Sequence, residues 1–278
     1  MHNSTGTTMT GFTDTIQNMF NPQKYLHAIL EKNARRNLEG KISGLTPQQR
    51  AMLDQEDEQV HYVDYVLEEK ALHYLVQSET IDRIQFINEN TIIGSGSRIT
   101  DLGDSNGIFI RVMGKDGISV NISDPTVKAL HTRGLDTVKA DIQYLPFKTN
   151  SLDVVFLFQT LEHVPNPILM LQEIARVCRG SLILSIPYVS KTHIHPFYYN
   201  PDKPLHQQHI FEFSPEDFSR VITHTPFTLK SDRITTVLDT GGSPLERLTY
   251  FLWRHTRERD TLCGCFRKFY LCCLVKRP

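Results

Sequence analysis

The spacing of apolar residues divides the chain into a first part with helical periodicity and a later part in which strands and helices alternate. Apolar positions at intervals of three and four residues predict helices from about Asn21 to Asn90. The first is expected to begin at Asn21-Pro22 and to end at Gly40, and the next to begin with the capping box Thr46-Pro47-Gln48-Gln49. A third is indicated by apolar residues on one face: Val60, Val63, Leu67, Ala71 and Leu75.

Beyond Gly94-Ser95-Gly96-Ser97 the pattern changes to short apolar runs that predict strands. Five come in order: Arg98–Leu102, Gly117–Ile122, Thr137–Ala140, Leu152–Phe158 and Ser181–Ile186. The clearest helix between them is expected to begin at Asn166-Pro167 and to end at Gly180. Because strands that alternate with helices are joined by right-handed crossovers, the expected fold class is α/β, with a parallel sheet covered by helices on both faces.

The last third of the chain is less regular. A long irregular stretch, Tyr188–His209, precedes a helix whose expected N-cap is Ser214. Two further strands are expected at Phe227–Asp232 and Lys268–Lys276, with a helix from Ser243 between them.

Composition excludes several classes of protein without indicating a chemistry. The 278 residues, 40% hydrophobic and 22% charged, suffice for an α/β core with an appendage. The net charge of −1 gives no overall reason to expect binding to nucleic acid or to an anionic membrane. The five cysteines, an odd number, favour reduced buried thiols over a disulfide framework and predict a cytoplasmic protein. The polar first residues and the absence of a long apolar run predict no leader and no membrane span.

The segment with the clearest chemical content is Arg98–Gly107, where a strand leads into a glycine-containing turn at the head of a helix. Such a turn places backbone N–H groups and the positive end of a helix beside a ligand, as nucleotide-type cofactors require. Three further segments follow in order: a second strand that ends at Asn121, the run Asp141-Ile-Gln-Tyr-Leu-Pro-Phe147, and Leu161-Glu-His-Val164 after the fourth strand.

This series resembles the class I S-adenosylmethionine (SAM)-dependent methyltransferases, in particular the methyltransferase type 11-like group. The resemblance covers Ser97–Pro187 closely and the later strands more loosely. It implies a Rossmann-like, seven-stranded and mostly parallel sheet with helices on both faces. The last strand, Phe269–Val275, would then run antiparallel beside the fifth. We therefore expect a helical N-terminal extension or lid at residues 1–90 and a methyltransferase domain at residues 91–278.

The resemblance also implies a set of residues that bind SAM. Asp101 would lie near the ammonium group, and Gly103 and Gly107 would let the backbone approach the methionine end. Asp104 stands where a small residue is common in the family, and Ser105 stands where a third glycine is usual.

At the second and third strands the implied contacts are to the ribose and the adenine. Asn121, with Ile122 beside it, occupies the position at which such folds place an acidic residue on the ribose hydroxyls. Asp124 could compensate, but it is interpreted as a helix N-cap because Pro125 follows it. Asp141 would accept from the exocyclic amine of the adenine, and the N–H of Ile142 would reach a ring nitrogen.

On the acceptor side, Gln159 is expected under the methionine moiety, and no catalytic residue is assigned. The candidates are His163, Tyr188 and His209. Dense imidazoles could also bind a metal, but a pocket-lining role is favoured and no metal ion is expected, because neither these spacings nor the pair Cys263-Gly-Cys265 matches a zinc pattern. The histidines of the irregular stretch are His193, His195, His206 and His209.

The function predicted from these features is methyl transfer from SAM to an unidentified small-molecule acceptor. In-line attack on the sulfonium methyl needs positioning and desolvation more than a fixed catalytic group. The alternative is a non-catalytic binding or scaffold module that has lost the cofactor, which Asn121 favours and the retained Asp101 and Asp141 oppose. The partner expected is a small molecule rather than nucleic acid, and the oligomeric state stays open.

Overall fold

The computed structural model describes residues 22–54, 69–114, 116–194, 200, 202, 208–236, 243–244, 247–248 and 268–277. The strands are β1 (Ile99–Leu102), β2 (Gly117–Asn121), β3 (Asp136–Lys139), β4 (Leu152–Phe158), β5 (Cys178–Pro187), β6 (His193–Ile194), β7 (Phe211–Glu212), β8 (Phe227–Thr236) and β9 (Lys268–Lys276). The α-helices are α1 (Pro22–Ile42), α2 (Pro47–Asp54), α3 (Glu69–Asn90), α4 (Ile108–Val112), α5 (Asp124–Thr132), α6 (Pro167–Val177) and α7 (Pro215–Thr223).

The main sheet has seven strands in the order β3-β2-β1-β4-β5-β9-β8. Strands β1 to β5 are mutually parallel, whereas β9 runs antiparallel to both β5 and β8. The prediction of a mostly parallel, seven-stranded sheet with the last strand beside the fifth is confirmed. A separate two-stranded pairing of β6 with β7 was not predicted, because two-residue strands carry no readable period.

Both faces of the sheet are buried, and β4 shows how one strand serves both. Val155 and Leu157 belong to a core that α6 and α7 cover. Val154, Phe156 and Phe158 point to the opposite core. Successive side chains of a strand alternate between faces, so a strand covered on both sides is apolar throughout.

The second core is built partly by the N-terminal helices. Leu38, Ile84 and Ile87 are buried together with Phe156 of β4 and Leu271 of β9. The described helices of the N-terminal extension therefore cover one face of the sheet and are part of its hydrophobic core. The domain boundary near residue 90 and the lid role stay predictions, and the described helices of this part pack into the core of the sheet.

A polar contact further joins two of these helices. Lys41 of α1 lies 2.6 Å (Nζ to Oδ2) from Asp82 of α3, and both side chains are largely buried. Burial raises the pKa of Asp82, which the charge of Lys41 opposes, and burial lowers the pKa of Lys41. Such a pair is costly to break one partner at a time, so it ties α1 to α3.

Three predicted helix starts are confirmed by their capping bonds. Leu169 N–H donates to Asn166 Oδ1, and Asp217 N–H donates to Ser214 Oγ. The capping box is reciprocal: Gln49 N–H donates to Thr46 Oγ1, and Thr46 N–H donates to Gln49 Oε1.

Two predicted helix ends are wrong. The first helix continues past Gly40 to Ile42, because nothing crowds that glycine and the next residue, Lys41, is held by Asp82. The helix expected to end at Gly180 ends at Val177, since β5 already begins at the next residue. A Cβ at position 180 would lie 2.2 Å from the Asp153 carbonyl oxygen, so this glycine permits a close approach between strands.

Some sequence predictions lie outside the described residues. These include most of the helix from Ser243, the start of the third helix at Val60, and the pair Cys263 and Cys265. Among the cysteines that are described, Cys178, Cys272 and Cys273 are buried with free thiols. None of the described helices combines the length and apolar character that a membrane crossing needs.

Candidate cofactor and acceptor site

The carboxyl ends of β1 to β4 meet at one edge of the sheet because these strands are parallel. Contacts between their loops join the predicted cofactor residues. Gly103 N–H donates to the Val120 carbonyl oxygen, and Ala140 N–H donates to that of Asn121. Gly103 also lies against Thr160, which follows β4.

The turn after β1 uses glycine at both of its predicted positions. Gly103 and Gly107 have φ angles of +79° and +78°, a region that L side chains rarely adopt. A Cβ on Gly103 would come within 2.4 Å of Thr160 Oγ1, and one on Gly107 within 2.0 Å of Leu135 Cδ1. The two glycines thus let the turn pack tightly against its neighbours, which is a structural need, and their cofactor role stays a prediction.

Asp104 organises this turn from its centre. Its Oδ1 accepts from the N–H groups of Asn106 and Gly107, at 3.0 and 2.7 Å. Its Oδ2 accepts from the Ser119 hydroxyl at 2.6 Å. Burial raises the pKa of Asp104, and these hydrogen bonds act in the opposite direction. The role found for Asp104 is internal to the loop, and its predicted contact with SAM stays a prediction.

Asn121 has an internal role of the same kind. Its Nδ2 donates to the Asp104 carbonyl oxygen at 2.8 Å, and its Oδ1 accepts from Ser123 N–H at 2.8 Å. An aspartate could not donate the first of these bonds. The departure from the acidic residue of the family is therefore explained by the loop, and its predicted ribose contact stays untested.

The predicted N-cap role of Asp124 is wrong. The N-cap of α5 is Ser123, which makes no side-chain capping bond, and Asp124 is the first helical residue. Its exposed carboxylate instead pairs with Lys139 of β3 at 2.6 Å. The reason is the proline: Pro125 is tolerated anywhere in the first turn, so it did not determine which residue before it was the cap.

Beyond β2 and β3 the edge is apolar and open. Ile122 and Tyr144 are 55% and 70% exposed, unusual for such large side chains beside a cofactor-type turn. Asp141 is half-buried, and its Oδ1 accepts from Gln143 N–H. Ile142 is buried in the core. Exposed apolar side chains next to a carboxylate fit the contacts that an adenine base would make. Tyr144 was not singled out as a site residue from the sequence, because a tyrosine with its polar hydroxyl is ordinary in a loop.

Asp101 and Arg83 form the interior of the same edge. Asp101, on β1, is only 2% exposed. Burial and then the neighbouring Asp104 raise its pKa well above the ordinary value, whereas the charge of Arg83 opposes this. Arg83 comes from α3, pairs with Glu79, and places its guanidinium 5.2 Å from the centre of the Phe158 ring. Sequence reasoning missed Arg83 because nothing in a helical pattern tells which polar residue faces inward.

Gln159 and Thr160 follow β4 directly. Gln159 has a φ of +46°, and its Nε2 donates to Ser185 Oγ at 3.2 Å. A non-glycine residue in this region is uncommon and often marks a functional turn. The position agrees with the loop expected beneath the methionine moiety, and the contact itself stays a prediction.

Two of the three catalytic candidates come together just beyond this turn. His163 and His209 lie with ring centroids 4.8 Å apart at a near-perpendicular angle, beside Glu162. Glu162 is 1% exposed, and burial raises its pKa to about 7. Sequence reasoning missed Glu162 because its burial depends on how residues 208–212 fold over it.

The third candidate, Tyr188, is held at the other end of the loop. Its N–H donates to the Lys268 carbonyl oxygen, and Lys268 Nζ lies 5.7 Å from its ring. His193 forms part of β6, opposite Glu212 of β7. His195 and His206 lie outside the described residues.

Comparisons with known proteins agree with this architecture. A family model described as "Methyltransferase domain" matches residues 100–184. Two proteins of Mycobacterium tuberculosis, from strains CDC 1551 / Oshkosh and H37Rv, are each named a "Probable S-adenosylmethionine-dependent methyltransferase". Both are 27% identical over 121 residues, 43% of this chain and 43% of their own length.

Residues 100–184 are therefore similar to the methyltransferase domain family, and the sheet that contains them has the strand order described above. The aligned part spans less than half the length of these curated relatives, so their whole-protein activities are not transferred by it. SAM is the cofactor of this family, and the residues at the sheet edge fit it: a buried carboxylate on β1, a tight glycine turn, and exposed apolar side chains after β2 and β3.

Solved structures confirm the fold of the methyltransferase domain. The YcgJ protein of Bacillus subtilis shares 15% identity, covers 71% of this chain and 99% of its own, and has a TM-score of 0.50. The [4+2]-cyclase SpnF shares 16% identity, covers 72% and 82%, and also has a TM-score of 0.50. At such identities the likeness shows the fold alone, and a cyclase among the neighbours illustrates that this fold hosts more than one reaction.

Proposed function

We propose that this protein transfers the methyl group of SAM to a small-molecule acceptor. The observation that carries the proposal is the edge where β1 to β4 end, with Asp101, Asp141 and Gln159 each following or closing a different parallel strand. Ligands of open α/β sheets bind at the carboxyl ends of the strands. SAM would lie there with its methionine end near Gly103 and its adenine near Asp141.

The acceptor side of the proposed pocket is the segment after β4. Gln159, Thr160 and the Glu162–His163 turn follow one another, and residues 208–212 fold over that turn. Methyl transfer is an in-line displacement, so an enclosed and oriented acceptor is the main requirement. We assign this side to the acceptor, with His163 and His209 as its nearest polar groups; no described contact selects among oxygen, carbon and nitrogen acceptors.

The deciding test is calorimetric titration of the purified protein with SAM and with S-adenosylhomocysteine. We expect one site per chain for both. Gly103→Val should eliminate binding, because it adds a bulky side chain at a left-handed position against Thr160.

The matched control is Gly134→Val, which has the same sign of φ, +82°, but has nothing within 4 Å of its Cβ position. It should keep SAM binding. If the wild-type protein bound neither ligand, the non-catalytic scaffold alternative would replace the proposed function. If both variants bound like wild type, the cofactor would lie elsewhere.

Turnover is tested separately with methyl-labelled SAM and a panel of small molecules that carry hydroxyl, amine or activated carbon groups. Label in a small-molecule product supports the proposal. Label found only in protein or nucleic acid would contradict the acceptor class.

A further inference from the structure

The cluster formed by Glu162, His163 and His209 is not explained by cofactor binding. One ligand-type atom from each of the three residues lies within 4.8 Å of those of the other two. The first two residues belong to the short 3-10 turn after β4, and His209 comes from the irregular segment before β7. We propose that this cluster is a binding site for one divalent transition-metal ion at the acceptor side of the methyltransferase domain.

The carboxylate of Glu162 is buried without a hydrogen bond from another described residue. Glu162 is 1% exposed, and neither of its carboxylate oxygens accepts a hydrogen bond from another described residue. Burying a carboxylate without partners is among the costliest arrangements in a protein, and buried charges are normally paired or coordinate metals. A dication at this position would supply the missing partner.

The two imidazoles are each oriented by an acceptor on Nδ1. Nδ1–H of His163 donates to the Gln208 carbonyl oxygen at 2.8 Å, and Nδ1 of His209 meets Glu212 Oε1 at 2.6 Å. A carbonyl or carboxylate acceptor on one ring nitrogen fixes the tautomer that presents a lone pair on the other, the arrangement typical of metal-binding histidines. We therefore assign Nε2 of each ring as the metal ligand.

Hydrogen bonds to the backbone hold the two parts of the cluster together. Ile210 N–H donates to the Glu162 carbonyl oxygen at 2.6 Å, and the Gln208 carbonyl oxygen accepts a hydrogen bond from Nδ1–H of His163. His209 therefore lies between two residues that are both bonded to the Glu162–His163 turn. Because hydrogen bonds already hold this loop in place, its ligands lose little conformational entropy when a metal binds.

The ligand chemistry indicates which ions fit. Two imidazole nitrogens and one carboxylate suit zinc, iron, cobalt or manganese, whereas calcium and magnesium prefer oxygen ligands throughout. Tetrahedral bonds of 2.0–2.2 Å put ligand atoms about 3.4 Å apart, so atoms that now lie up to 4.8 Å apart would need to approach by at most about 1.4 Å. Three protein ligands leave a position for water or for an oxygen of another molecule.

The test uses the full chain, stripped with a chelator and dialysed, and titrated with Co²⁺ by visible absorption and with Zn²⁺ by calorimetry. We expect one ion per chain and the d–d bands of nitrogen and oxygen coordination. Glu162→Gln and His209→Gln should each weaken binding at least tenfold. Glu212→Gln, which removes the carboxylate that meets His209 Nδ1, should weaken it by about 10- to 100-fold while leaving one ion bound at saturation.

His131→Ala removes an exposed histidine of α5 and is the matched control, with no change expected. Because Glu162 is buried, the partly exposed His209 gives a second reading should Glu162→Gln fail to fold. Far-ultraviolet circular dichroism and SAM titration of each variant report folding independently of the metal.

Absence of stoichiometric binding to the stripped protein would overturn the proposal, as would Co²⁺ bands unchanged in both Glu162→Gln and His209→Gln. Metal binding without SAM binding would contradict only the proposed function. SAM binding without metal binding would contradict only the metal site.

Discussion

Two buried carboxylates at the same edge of this sheet, Asp104 and Glu162, differ in how many hydrogen bonds they accept from other residues. Asp104 accepts three hydrogen bonds, from two backbone N–H groups and a hydroxyl. Glu162 accepts none from another described residue, although it is even less exposed. A buried carboxylate that is bonded by its own loop and by the neighbouring strand serves the fold, whereas one to which no other described residue donates is a candidate for binding a ligand.

The largest effect expected from this comparison is the loss of Asp104. Asp104→Ala should lower the free energy of unfolding by about 3 kcal/mol or more, because it strands the N–H groups of Asn106 and Gly107 and the Ser119 hydroxyl. Urea denaturation monitored by fluorescence measures this free energy of unfolding. The control Asp136→Ala removes an exposed carboxylate and should change stability by less than about 0.5 kcal/mol. Equal effects of the two would show that the turn does not depend on Asp104.

The next effect concerns the contact between the glycine turn and the loop after β4. Gly103→Ala should cost about 2 kcal/mol, in part from the positive φ and in part from Thr160. In a Thr160→Ala background the steric contribution to this cost should disappear, so a double-mutant cycle should give a coupling free energy of about 1 kcal/mol. Gly134→Ala, which meets no neighbour, measures the cost of the backbone conformation alone. A coupling of zero would mean that the two loops move apart freely.

A smaller change tests Asn121. Asn121→Asp should destabilise the protein by about 1 kcal/mol, because it replaces an N–H donor by an oxygen that faces the Asp104 carbonyl. If Asn121 also contacts the ribose, SAM affinity should rise by about 1 kcal/mol at the same time, since a charged acceptor is stronger. Calorimetry and denaturation separate the two. Unchanged stability would mean that the bond to Asp104 contributes nothing.

The smallest change is expected at Glu162. In the presence of chelator, Glu162→Gln should alter the free energy of unfolding by less than about 1 kcal/mol or increase it, since no described hydrogen bond to another residue is lost and a buried charge is removed. Thermal and urea unfolding of the two proteins give the comparison. A loss as large as that of Asp104→Ala would mean that Glu162, like Asp104, serves the fold.

The N-terminal helices, expected as an extension or lid, pack into the core of the sheet. Truncation before residue 90 would remove Leu38, Ile84 and Ile87 from the core under β4 and β9. Each large buried aliphatic contributes roughly 2 kcal/mol or more, so the truncated protein should not fold. Retention of SAM binding by such a fragment would restore the interpretation of these helices as a separate lid.

The sequence by itself determined the parts of this protein that depend on local pattern. Periods of two and of three to four residues gave the parallel strands and the helices, and short-range chemistry gave the caps at Thr46, Asn166 and Ser214. The glycine turn and its family resemblance likewise follow from neighbouring residues. Such features need only contacts a few positions apart, which a linear pattern records.

Tertiary structure alone decided where the long-range contacts lie. The bond from Asn121 to Asp104 spans 17 residues, and the bond from His163 to Gln208 spans 45. Burial of Glu162 and the inward direction of Arg83 depend on the same kind of contact. A polar residue in a pattern carries no mark of whether distant chain will cover it, so its role is set by the fold and its partner by the loop that packs on it.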